Sequence, residues 1–136
     1  MIDLLQAAQS ALFAKLKALE GGPSLPAGWG AFQHIPQNRE PPYSMVGMMT
    51  VENADMRGEQ AELIKAELQH VYRGAGRGPL LDMMHAARAA LENQALPSTV
   101  AAFEDPRFVQ AEASDALADG VTYVGIQLFE FYAEPA

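Results

Sequence analysis

The sequence predicts an α+β domain in which two helices pack on one face of a mainly antiparallel sheet. Three observations carry that prediction. Apolar residues recur at helical spacing near the N-terminus and again after residue 79. Runs rich in aromatic and β-branched residues, bounded by Gly, Pro and Asp, lie between and after those two segments. The order helix, strands, helix, hairpin suits helices segregated on one side of a sheet better than a βαβ array. A chain of 136 residues fits a single domain, taken as 1–136, and can bury a real core.

The first helix is read from "MIDLLQAAQSALFAKLKALEGG". Leu5, Ala8, Leu12, Leu16 and Leu19 form its apolar stripe, and Asp3 complements its positive N-terminal end. Gly21 and Gly22 provide a left-handed stop. Gln6, Gln9, Ser10, Lys15 and Lys17 interrupt the apolar character, which excludes a signal peptide, and no run reaches the roughly 18 apolar residues of a membrane span. Residues 21–31 read as loop, with Trp29 as a plug over the core.

"AFQHIPQNREPPYSMVG" follows, and its prolines at 36, 41 and 42 cannot donate to a sheet ladder, so it turns or runs along a sheet rim. Residues 43–51, "YSMVGMMTV", read as a strand. Residues 61–73, "AELIKAELQHVYR", admit two readings. Propensity favours helix, whereas Ile64, Ala66, Leu68, His70 and Tyr72 alternate with polar partners as in a strand. Strand is the reading adopted.

"GAGRGP" breaks the chain, and Pro79 suits the first turn of a second helix with Leu80, Met84, Ala87 and Leu91 buried; Pro97 ends that segment. Residues 106–114 and 121–133 read as strands joined through a turn that carries Asp119–Gly120. In the last strand Val124, Ile126 and Leu128 share one face, and Tyr123, Phe129 and Phe131 share the other. In 43–51, Tyr43, Met45 and Met49 oppose Val46 and Met48. A free sheet face is ordinarily polar, so an aromatic one is either covered by loops or reserved for a partner. The partner reading is preferred, which nominates Tyr43, Met45, Tyr123, Phe129 and Phe131 for self-association.

The charge balance, 17 acidic against 9 basic residues for a net −8, disfavours sequence-specific nucleic-acid binding and a polybasic membrane anchor. With no cysteine, disulfides, thiolate metal sites and cysteine nucleophiles are excluded. His34, His70 and His85 form no local metal-binding pair, and the serines lie in no nucleophile elbow. The sequence thus predicts no catalytic, metal or cofactor site. The loop Gly74–Pro79, flanked by Arg73 and Arg77, is the place where an alternative, a small-ligand or nucleotide-binding domain, would put its anion. Its glycines fit neither the dinucleotide nor the P-loop spacing. The polar stretch 52–62 exceeds a tight hairpin, and Glu52, Asp55, Met56, Arg57 and Glu59 are candidates for partner docking.

"FQHIPQNREPPYSMVG" resembles a stretch of the phage tail-completion, or tail-terminator, proteins and their prophage and gene-transfer-agent relatives. There, an aromatic-flanked strand leads to a proline, a spacer, and Pro–Tyr opening the next strand; Phe32, His34, Pro36, Pro42 and Tyr43 hold those places. "LLDMMHAARAALEN" is similar to the family's second helix, with Leu91 at its leucine. "DALADGVTYVGIQLFEF" is similar to its closing hairpin, matched by Asp119, Gly120, Thr122 and Gly125. "GGPSLPAGW" and "EDPRFV" depart from the family pattern. The resemblance covers Ile2 to Phe131 and implies strand for 61–73. It implies a non-enzymatic virion subunit, assembled in the bacterial cytoplasm, that forms a ring (a hexamer in the resemblance), terminates the tail tube and joins tail to head. The implied partners are further copies of itself, the tail tube protein and the head–tail connector protein. A head-side connector adaptor is the nearest rival.

Overall fold

The computed structural model describes residues 1–55 and 59–136. Its elements are α1 (Leu4–Lys17), β1 (Gly30–Phe32), β2 (Tyr43–Asn53), β3 (Glu62–Arg73), α2 (Gly78–Leu91), β4 (Ala101–Phe103), β5 (Arg107–Ala113) and β6 (Thr122–Pro135). The sheet runs β1-β2-β3-β6-β4, with β5 pairing β6 on the same side as β4. Every pair is antiparallel except β1·β2, which is parallel. The expected α+β architecture is therefore present, and residues 61–73 are strand. Of the two three-residue strands, β1 is implied by the family resemblance through Phe32 but not by the residues themselves, and β4 is not expected at all. Each is too short to show a period, and β1 lies in a stretch whose Gly and Pro read as loop.

Asp3 caps α1, its carboxylate accepting from the Gln6 amide at 3.0 Å. Leu4, Ala8, Ala11, Leu12 and Leu16 are buried along α1, and Leu80, Met83, Met84, Ala87 and Leu91 along α2. Both helices lie on one face of the sheet, over Val46 of β2, Ile64, Ala66 and Leu68 of β3, and Phe129, Phe131 and Ala133 of β6. Edge-to-face ring pairs, Phe103 with Phe131 and Phe108 with Phe129, carry this core out to β4 and β5. The Arg88 guanidinium lies 3.7 Å from the Phe108 ring centre and ties α2 to β5.

The proline-rich stretch has a clear local role. It brings the chain back so that β1 and β2 run parallel, Gly30 across from Tyr43. Arg39 staples the resulting loop by donating to the carbonyls of Gly28 and Pro42, with its guanidinium over the Phe32 ring. Pro42 then stands immediately before the first strand residue, where a missing amide costs the ladder nothing.

Two bulges change which side chains face the core. In β2 the pairing jumps between Val46 and Met49, and in β5 between Phe108 and Gln110. An extra residue reverses the in–out alternation beyond it. The sequence reading, which grouped Met49 with Tyr43 and Met45, is corrected here: Met49 packs against the core cluster, and Met48 is 69% exposed. The β5–β6 connection is slightly longer than the segment between the expected strands 106–114 and 121–133. It spans residues 114–121, with a turn closed by the Gly120 amide donating to the Leu117 carbonyl. Gly120 does have the positive φ (+77°) that its position required, and the Asp119 carboxylate accepts from the amides of Val121 and Thr122.

Candidate functional site

Three strands converge on the most developed polar arrangement in the molecule. Ser44 of β2 pairs with His70 of β3, and His70 pairs with Gly125 of β6, two residues from Gln127. The His70 ring lies between the Ser44 hydroxyl (Nδ1 to Oγ, 2.6 Å) and the Gln127 amide (Nε2 to Oε1, 2.7 Å). Trp29 Nε1 donates to Ser44 Oγ at 2.9 Å, and Gln127 Nε2 donates to the Met84 carbonyl at 2.8 Å. One assignment of protons satisfies the whole chain: Nε2–H donates to Gln127, and Nδ1 accepts from the Ser44 hydroxyl. Burial pushes the His70 pKa down to about 4, only partly offset by its bond to Gln127, so the ring is neutral at pH 7.

A serine hydroxyl in hydrogen-bond reach of a histidine, itself oriented by a third group, has the topology of an activated nucleophile. Its surroundings forbid that use. Ser44 and His70 are fully buried, and the one proton arrangement that satisfies the chain uses the hydroxyl lone pair for Trp29. The chain of bonds is a structural seam that joins β2, β3, β6 and α2. Sequence reasoning placed His70 inward and Trp29 as a plug but missed their link through Ser44. The available signal was a serine and a histidine facing the same way on two adjacent strands.

The Gly74–Pro79 connector joins β3 to α2, with Pro79 in the first turn. Arg73 pairs with Glu40 at 2.6 Å and donates to Thr122, while Arg77 donates to the Ser114 carbonyl. Both cations are thus engaged in holding neighbouring loops. His34 and His85 are exposed on separate elements, and among the described residues no group of three His, Cys, Asp or Glu side chains comes together. A broad depression follows α1 from Met1 to Ala14 opposite Pro97–Val100, and Asp3 is the one ionisable side chain among its described lining residues.

The five residues nominated for self-association separate onto two faces. Tyr123, Phe129 and Phe131 point toward the helices, with Phe129 1% and Phe131 2% exposed. The face assignment made from the sequence is reversed for these three. Two-sided apolar alternation along β6 does not reveal which side the helices take, and the larger aromatic set fills the deeper volume. Tyr43 and Met45 lie on the opposite, open face, together with Val71, Val124, Ile126 and Leu128, all half-buried.

The connector between β2 and β3 is shorter than 52–62, because β2 continues to Asn53 and β3 begins at Glu62. Glu52 is a strand residue paired with Lys65 at 3.2 Å. Asp55 accepts from the Ala61 amide at 2.6 Å and draws in the base of the loop, while Glu59 is exposed. Met56 and Arg57 lie outside the described residues. Among the described residues no helix is long and apolar enough to cross a membrane.

Comparison with known proteins agrees with this architecture. The chain superposes on a solved chain from the virion of a native gene transfer agent particle with a TM-score of 0.76, covering 98% of this chain and 99% of that one. Sequence identity is 17%, so this likeness speaks for the fold. No curated protein matches the sequence. The family described as Tail completion protein gp17 matches residues 10–134, almost the whole chain, and the protein belongs to that family of structural phage tail proteins.

Proposed function

We propose that this protein is a non-enzymatic subunit that assembles into a ring, terminates the tail tube and joins the tail to the head. The observation that carries the reading is the family match over residues 10–134. The structure is compatible with it: the best candidate dyad is sealed inside the core, while the sheet keeps one apolar face and its edges accessible. The ring would meet the tail tube protein on one rim and the head–tail connector protein on the other, within a virion assembled in the cytoplasm. The open face around Tyr43, Met45, Val124 and Ile126 would be left available to a partner, while the buried Phe129 and Phe131 would take no part in assembly. The loop after Asn53, with Asp55 and Glu59 at its described ends, would contact a partner, its acidic surface repelling rather than retaining DNA.

The test is mass as a function of concentration, for the free chain and in the presence of purified tail tubes. The expected result is a discrete oligomer that forms alone or on tube ends, and tubes so treated become competent to join heads. A chain that stays monomeric in both conditions and leaves joining unchanged would overturn the proposal.

A further inference from the structure

The open face carries a line of charge that crosses the whole sheet. Glu52 of β2 pairs with Lys65 of β3, Lys65 sits across from Glu130 of β6, and Glu130 pairs with Arg107 of β5. The signs alternate, negative, positive, negative, positive, and the two ends are opposite. Glu52 and Arg107 stand on the sheet's two outermost strands at that level. β1 covers β2 only over Tyr43–Met45, so no strand among the described residues pairs with the outer side of Met48–Asn53. The outer side of β5 has none either among the described residues. Neither edge carries a lysine or a proline, the usual guards against strand addition.

We propose that copies of this chain associate head to tail through these edges, β5 of one copy adding antiparallel to Met48–Asn53 of the next. The inference rests on the ring reading and names its interface. Three features fit the second copy as occupant. First, strand direction alternates from β2 through β3 and β6 to β5, so the next β2 arrives antiparallel with its open face on the same side. Second, the charge line continues without a fault, Arg107 of one copy meeting Glu52 of the next. Third, in the register that sets those two side by side, Val51 falls beside Phe108 on the helix-covered face and Thr50 beside Gln110 on the open face, with Val109 as the bulged residue. Both faces then match, apolar with apolar and polar with polar. A two-fold pairing of identical edges would leave the other edge of each copy bare, whereas head-to-tail pairing closes both, as a cyclic assembly requires.

The natural sequence contains no cysteine, so introduced thiols report cleanly. Thr50→Cys chains mixed with Gln110→Cys chains and mildly oxidised at high concentration should form disulfide-linked dimers, well above the yield of either variant alone. The double variant should give a ladder that stops at the ring number. Both positions are exposed, so the variants should fold, and circular dichroism verifies that they do. Efficient cross-linking of either single variant with itself would show two-fold pairing and overturn the proposal. Wild-type light scattering over the same concentrations, with and without tail tubes, separates the two readings. Assembly by mass without the mixed cross-link removes the edge contact and leaves the ring, whereas absence of both removes both.

Discussion

Two polar lines cross the same three central strands on opposite faces, and they end differently. Under the helices, Trp29, Ser44, His70 and Gln127 form a sequence of hydrogen bonds that begins at an indole N–H and finishes on the Met84 carbonyl. Every group in it is satisfied within one chain. On the open face, Glu52, Lys65, Glu130 and Arg107 form a line of ions whose terminal members sit on bare strand edges. The closed line is buried along its length, and its contribution is to fix strand register in a core where an unpaired polar group is costly. The open line is worth little to the isolated subunit, since exposed ion pairs contribute weakly, but it leaves each edge asking for the sign found on the other. The difference separates what holds the subunit together from what can join subunits.

The largest way to break this contrast is to confuse its two faces. Phe129→Ala should cost about 3–5 kcal/mol, the range for emptying a buried aromatic site, and should be read as a drop in the urea midpoint. Leu128→Ala, its neighbour on the open face, should cost about 1 kcal/mol or less. Equal losses at the two positions would show that the open face is packed like the core and is not available to a partner.

A second expectation sharpens the account of the closed line. His70 is held neutral down to about pH 4, whereas in the unfolded chain it takes up a proton near 6.5. The folded pKa is depressed, so this stabilising difference is complete above pH 6.5 and is lost as pH falls toward 4. About 3 kcal/mol should disappear over that window, by the standard conversion of pKa shift to free energy. His70→Gln removes the titrating group, and its stability should fall less steeply over the same range. Parallel slopes for the two proteins would mean that His70 is accessible to protons in the native state.

The smallest stability effect is expected on the open line. Arg107→Gln removes one ion at an exposed position and should leave the melting midpoint unchanged within repeat scatter. The same change should lower the yield of the Thr50–Gln110 mixed cross-link several-fold. A stability loss without a change in cross-linking would place Arg107 in the fold and out of the junction.

Local pattern in the sequence by itself recorded the two helices, the long strands β2 and β6 and the α+β class. These are local statements, and period, capping and turn chemistry record them residue by residue: Asp3 at a helix start, Pro79 in a first turn, Gly120 with positive φ. Residues 61–73, by contrast, fitted helix and strand alike, and the stripe read for α1 was offset, Leu4 and Ala11 being buried where Leu5 and Leu19 had been expected. The alternation of β6 was equally legible, yet which of its two apolar faces meets the helices was not, because that depends on where α1 and α2 dock after the chain has folded. The bulges at Val46–Met49 and Phe108–Gln110 were hidden for a related reason, since an extra residue exists only relative to the strand across from it. The union of Ser44 with His70 and Gln127, and of Glu52 with Lys65, Glu130 and Arg107, joins positions up to 83 residues apart that only the sheet's register brings level. Period is written along one strand, but partnership between strands is set by the energy of the assembled sheet, and there the tertiary structure alone decided.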